Sequence, residues 1–186
     1  MSRKVKIVLA GQSGVGKSSI VSCFNRSDSS EILPTIGCAL HHKNITRGSN
    51  EINIDIWDTA GQERYLSLGG YYFRNCNYCI LVFALNDLES FSLIDTWKIM
   101  CQNSSPKTIY YLVGNKLDIQ SPSVTQDQIS KYCRSSDITH YFETSADTGE
   151  GISQLLDSLV DHTFTRITYL PEGKPLPQEI ISTCTC

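Results

Sequence analysis

An α/β fold, with a mainly parallel sheet covered by helices on both faces, is predicted from three features of the sequence. Apolar runs of strand length alternate with longer amphipathic stretches. A glycine-rich loop joins the first apolar run to the first amphipathic stretch. The hydrophobic share, 40% of 186 residues, supplies one substantial core, and folding a chain of this size buries roughly 70% of its unfolded surface.

The elements follow in order. Residues 5–10 form a compact apolar run ending at Gly11, which reads as a buried strand. Residues 17–25 read as a helix with Ile20, Val21 and Phe24 on one face. Residues 39–46 and 51–58 read as a hairpin turned at Gly48-Ser49-Asn50. In its second arm Ile52, Ile54 and Ile56 alternate with Asn53, Asp55 and Trp57. Residues 78–85 are a further buried strand. Residues 90–101 read as one helix with Phe91, Ile94, Trp97 and Cys101 inward. Residues 108–114 are another apolar strand, 126–134 a short helix, 140–143 a short strand and 151–167 a final helix. After Thr168 the chain reads Tyr-Leu-Pro-Glu-Gly-Lys-Pro-Leu-Pro, the composition of a linker and not of a packed element. The expected division is a domain over 1–168 and a flexible tail over 169–186.

Composition excludes several function classes. Sixteen basic against nineteen acidic residues give a net charge of −3, a poor electrostatic footprint for nucleic acid. The longest apolar run, 78–85, is far short of the roughly 20 residues that a membrane-spanning helix needs. The N-terminus lacks a signal-peptide pattern, and Ser2 does not fit N-myristoylation. Of the eight cysteines, the six internal ones at 23, 38, 76, 79, 101 and 133 are expected to be thiols of a cytosolic chain, and the other two, at 184 and 186, crowd the last three positions. Cys76-Asn77-Tyr78-Cys79 is a CxxC without a second pair, so core thiols are favoured over a zinc or redox site. His41 and His42, adjacent on a strand, point to opposite faces and are expected at the surface. Arg3, Lys4 and Lys6 read as a solvated strand entry.

Gly11-Gln12-Ser13-Gly14-Val15-Gly16-Lys17-Ser18 matches the P-loop pattern in its required context, a strand leading in and a helix leading out. Glycines let successive backbone N–H groups converge on phosphate oxygens, and the helix N-terminus adds positive potential. Lys17 brings a cation to the outer phosphates, and Ser18 offers a hydroxyl to Mg²⁺. Later segments narrow the nucleotide. Asp58-Thr59-Ala60-Gly61-Gln62-Glu63 follows a strand, so Asp58 can hold Mg²⁺ through water and the Gly61 N–H can approach a terminal phosphate. Asn115-Lys116-Leu117-Asp118 follows another strand. A carboxylate at Asp118 suits guanine, whose N1–H and N2 amino group both donate, whereas adenine presents an acceptor at N1. Glu143-Thr144-Ser145-Ala146 closes the last strand and can put backbone N–H groups near the base. Ligands of open parallel sheets gather at the strands' C-terminal ends, where all these segments fall.

With these motifs the chain resembles the Ras superfamily of small GTPases over about residues 3–168, and within it the Rab family. Trp57-Asp58-Thr59-Ala60-Gly61-Gln62-Glu63-Arg64-Tyr65 is similar to the Rab form of the second switch, and Thr35-Ile36-Gly37 to the first-switch signature. Tyr72-Phe73-Arg74-Asn75-Cys76 resembles the Rab Tyr-Tyr-Arg-Gly-Ala segment, and Ser90-Phe91 with Trp97 resembles the Rab third helix. The resemblance implies the G domain of P-loop NTPases, with a six-stranded sheet. It implies a GTPase that binds GTP or GDP with Mg²⁺, hydrolyses GTP slowly and acts as a switch in vesicle-mediated membrane traffic.

The implied nucleotide-binding residues are Ser13, Gly14, Val15, Gly16, Lys17, Ser18, Ser19, Thr35, Gly61, Asn115, Lys116, Asp118, Ser145 and Ala146. Ser18 and Thr35 would ligate Mg²⁺ directly and Asp58 through water. Gln62 would orient the attacking water. Arg64 and Arg74 do not sit where an internal arginine finger is expected, so an activating protein would supply one. The implied partners are an exchange factor, a GTPase-activating protein, effectors that read the GTP state, and a prenylation escort or GDI-type chaperone. A monomer is expected. Cys184-Thr185-Cys186 resembles the Rab Cys-x-Cys signal for geranylgeranylation of both cysteines, which would place the chain in the cytoplasm and on the cytoplasmic face of intracellular membranes.

The resemblance breaks in places. The stretch from Lys17 to Thr35 is one residue shorter than in familiar Rab proteins and holds no aromatic between Phe24 and Thr35. Cys38-Ala39-Leu40-His41-His42 lacks the expected aromatic, and Ala84 replaces a usual aspartate. These departures leave open a module that holds GTP with little hydrolysis, or a soluble switch of Ras or Ran type. An ATP-using transferase is a more distant alternative.

Overall fold

Ile7, Val8 and Leu9 are consecutive, yet each is at most 1% exposed, although neighbours on a strand face opposite ways. Such a strand belongs in the middle of a sheet with helices above and below. The computed structural model describes residues 3–25, 37–48, 50–59 and 66–169, and it places β1 (Arg3–Ala10) there. β1 pairs in parallel with β3 (Asn50–Thr59) on one side and β4 (Tyr78–Ala84) on the other. β5 (Ile109–Asn115) and β6 (His140–Glu143) continue in parallel beyond β4. At the opposite edge β2 (Cys38–Arg47) runs antiparallel to β3. The strand order is β2-β3-β1-β4-β5-β6, the mainly parallel six-stranded sheet expected of the sequence.

The two faces carry separate cores. Val5, Ile7 and Leu9, with Ile52, Ile54 and Ile56, pack under α1 (Lys17–Asn25) and α6 (Ile152–Tyr169). Val8, Leu81 and Phe83 pack under α2 (Leu66–Phe73), α4 (Ile94–Ser104) and α5 (Gln126–Ser135).

Two helical segments differ from expectation. α2 has no counterpart in the sequence reading, because Leu-Ser-Leu-Gly-Gly-Tyr-Tyr-Phe carries adjacent glycines and is a weak helix former. Tertiary packing holds it instead. Phe73 is buried, and Gly70 lies so near α4 that a Cβ there would sit 3.3 Å from Ser104 Oγ. The helix expected over 90–101 is two helices, α3 (Leu88–Ser92) and α4, separated by a turn at Leu93. Asp87 caps α3 by accepting from the Glu89 and Ser90 N–H groups at 3.0 and 3.2 Å. Ile94, Trp97 and Cys101 still face the core as expected, while Phe91 is half-buried and packs against it.

At the strand entry Lys4 is exposed, as predicted, and Lys6 is half-buried. Asp55, although on the polar side of β3, is only 7% exposed. Lys4 Nζ and His42 Nδ1 each lie 2.8 Å from its carboxylate. Burial works to raise the Asp55 carboxyl, but the hydrogen bonds from Lys4 and His42 outweigh it and hold the group below its usual range. Lys6 lies over the Trp57 ring, 4.1 Å from its centroid. The six cysteines among the described residues carry free thiols. Burial pushes Cys76 and Cys79 well above the ordinary thiol range, so this CxxC is a pair of neutral core side chains. α6 includes Tyr169, one residue into the segment assigned to the tail. The rest of that tail, with Cys184 and Cys186, lies outside the described residues.

Candidate functional site

The chain leaves β1 where its two neighbours, β3 and β4, lie on opposite sides, which opens a crevice at the strands' C-terminal ends. The predicted segments meet there. Gly11 follows β1 with φ +150°, and a Cβ on it would sit 2.0 Å from the Val82 carbonyl oxygen. Gly16 has φ +99°, and a Cβ there would lie 2.3 Å from Asn115 Nδ2. Both positions therefore admit only glycine. Between them Ser13 and Gly14 are exposed at the tip of the loop, while Val15 is buried and anchors it.

Lys17 opens α1 and is only 5% exposed. Its ammonium donates to the carbonyl oxygens of Gly11 and Gln12, both at 2.8 Å. The cation is thus folded back over its own loop. Burial lowers its pKa to about 8, with nearby Asp58 working in the opposite direction. Ser18 and Ser19 occupy the first turn of α1 and are half-buried. Ser18 Oγ donates to Asp58 Oδ2 at 2.5 Å. A hydroxyl beside a buried carboxylate is the hard oxygen donor set that Mg²⁺ takes. Thr59, next along β3, donates to the Leu9 carbonyl at 2.7 Å and fastens this strand end to β1.

The other end is built around Asn115, the last residue of β5 and 2% exposed. Its Nδ2 donates to the Val15 carbonyl at 2.8 Å. Its Oδ1 accepts from Thr144 Oγ1 at 3.0 Å and from the Ala146 N–H at 3.2 Å. One side-chain amide therefore staples the glycine loop to the segment after β6. Lys116 follows with φ +67°, a left-handed conformation that costs a non-glycine residue roughly 1–2 kcal/mol. The Leu117 N–H donates to the Thr144 carbonyl at 3.0 Å, which fixes the turn. Asp118 then stands exposed, its Oδ1 accepting from Ser145 Oγ at 2.6 Å. Ser145 Oγ also accepts from the Thr148 N–H at 3.1 Å.

Ser13 to Ser19, Asp58, Asn115, Lys116, Asp118, Ser145 and Ala146 are thus brought to one edge of the sheet. Thr35, Gly61 and Gln62 lie outside the described residues. Thr144 was absent from the predicted set, yet it is fully buried and orients Asn115. Its place between Glu143 and Ser145 was visible, but its partner stands 29 residues away and only the β5–β6 pairing brings them together.

Comparison with known proteins agrees with this arrangement. The model of the Ras family matches residues 6–165. The chain is 33% identical over 163 residues to a Ypt/Rab-type GTPase, ypt7, of Schizosaccharomyces pombe, covering 83% of this chain and 80% of that protein. It is 33% identical over 186 residues to the Ras-related protein RABG3d of Arabidopsis thaliana, covering 95% and 89%. A probable Rab-related GTPase of Acanthamoeba polyphaga mimivirus is 38% identical over 167 residues, covering 84% and 74%.

Proposed function

Because the chain belongs to the Ras family of small GTPases, and within it to the Rab type, we propose that the edge-of-sheet site binds GTP or GDP with Mg²⁺ and switches membrane traffic by slow GTP hydrolysis. The observation that carries this reading is the Asn115 staple, which joins the glycine loop to the segment that holds Asp118 through Ser145.

The residues divide the work. Lys17 exchanges its two carbonyl contacts for the β and γ phosphates, with backbone N–H groups from Ser13 to Ser19 around them. Ser18 and Thr35 would hold Mg²⁺, with Asp58 reaching it through water, and the bound ion would supply positive charge to the phosphates. Asp118 accepts from guanine N1–H and N2, Asn115 and Lys116 cover the base, and Ser145 and Ala146 support it. Gly61 donates to the γ-phosphate and Gln62 orients the attacking water. Thr35 and Gly61 keep their γ-phosphate partner only until hydrolysis, so the segments that carry them relax afterwards.

An exchange factor reloads the site, and an activating protein lends an arginine to the developing charge. Effectors read the GTP state. Leu40 is 45% exposed and pairs across the strands with Trp57, whose ring lies 6.3 Å from that of Tyr72. This apolar surface between β2, β3 and α2 suits such a reader. Among the described residues no helix is long and apolar enough to cross a membrane. Two geranylgeranyl groups on Cys184 and Cys186 of the tail (169–186) would supply the anchor on the cytoplasmic face, with a GDI-type escort to shield them.

Single-turnover hydrolysis of bound GTP, in Mg²⁺ and then with a chelator, tests the reading. Gln62→Leu is expected to slow the step about tenfold or more, and the chelator to speed nucleotide loss. Equal rates for both chains would contradict the role of Gln62. The mass of the chain expressed in a eukaryotic host tests the anchor: two added prenyl groups are expected, and an unmodified tail contradicts it.

A further inference from the structure

We infer that Cys23 is a positioning residue for the nucleotide: its thiol ties the loop beside the base to the helix that begins at the phosphates. The inference rests on the guanine-nucleotide reading of the site.

Cys23 lies in α1, the helix whose first residues are Lys17 and Ser18. Its Sγ donates to the Ala146 carbonyl oxygen at 3.3 Å, across 123 residues of sequence. On its other side Ala146 donates its N–H to Asn115 Oδ1, and Asn115 donates to the Val15 carbonyl. The connections close into a ring that runs from the glycine loop along α1 to Cys23, across to Ala146, and back through Asn115 to Val15. The closed ring holds Ala146 from two directions, through its N–H and through its carbonyl.

The surroundings give the thiol contact weight. A cavity of about 490 Å³ opens beside it, with Cys23, Ala146, Thr148 and Gly149 in the wall. Cys23 and Ala146 both pack on the core beneath α1 and α6, and the hydrogen bond adds a directional tie between the loop and the helix. The sequence between Phe24 and Thr35 also contains no aromatic residue. No ring from that stretch can stack on a base, so a larger share of the hold falls to hydrogen-bonded segments such as this one.

The test compares wild type, Cys23→Ser and Cys23→Ala as full-length chains. It reads release of a fluorescent GDP analogue beside single-turnover hydrolysis of bound GTP. Serine keeps a donor; alanine removes it and, as the best helix former, leaves α1 intact. Because S–H is a weak donor, Cys23→Ala is expected to release nucleotide about threefold faster. Cys23→Ser is expected at or below the wild-type rate, with the hydrolysis rate constant unchanged in all three. Equal release from all three chains, faster release from both variants alike, or a parallel change in hydrolysis would overturn the inference. A wild type that retains no GDP would overturn the guanine reading, and the inference with it.

Discussion

The two ends of the site are built in different ways. At the phosphate end Lys17 meets carbonyl groups only five and six residues away, within one loop. At the base end the partners come from across the chain: Asn115 and Val15 are 100 residues apart, and Asp118 and Ser145 are 27 apart. A contiguous loop carries its geometry in its own backbone. The base end exists only once β5 and β6 have paired in register, because that pairing brings Thr144 to Asn115. The Lys17 contacts are thereby local to the glycine loop, which is tied to β3 through Ser18 and Asp58, while the base end depends throughout on long-range pairing.

Removing the buried cation is the largest expected blow. Lys17→Met should weaken GDP binding about a hundredfold, as loss of a charge-assisted contact predicts. A pH profile sharpens this. Burial holds Lys17 near pH 8, below the ordinary 10.5, so the ammonium loses its proton as pH rises through 8. GDP affinity should therefore fall between pH 7 and 9 in the wild type, and that dependence should be absent from Lys17→Met. The linked stability runs the other way. From about pH 8 to 10.5 the unfolded chain holds the proton that the folded chain has lost, so the nucleotide-free protein should gain stability as pH rises. An unchanged GDP affinity in Lys17→Met would remove the contrast between the two ends.

A smaller and more selective effect is expected at the other end. Asp118→Ala should lose about tenfold of the preference for GDP over IDP, which lacks the 2-amino group. The preference for GDP over GMP, which reports the outer phosphate, should stay. If both preferences fell together, the two ends would not be separable in this way.

The same contrast decides what the sequence disclosed. The glycine loop was legible because its residues are consecutive and flanked by a strand and a helix. Asp58, Asn115, Asp118 and Ser145 were legible as short segments, each placed at a strand's end. Thr144 was not, because its role is set by a partner on another strand. α2 escaped for a related reason. Its glycine pair argues against a helix locally, and the approach to Ser104 that favours glycine is a tertiary fact. Asp55 likewise looked like an outward polar position until Lys4 and His42 closed over it.

The central claim is that one amide, Asn115, makes the two ends a single site. Competition of a fluorescent GDP analogue by GDP, IDP and GMP on Asn115→Ala tests it most directly. With the staple gone, the preference for GDP over IDP and the preference for GDP over GMP should both shrink, each by about tenfold. A variant that keeps either preference at the wild-type value would contradict the claim.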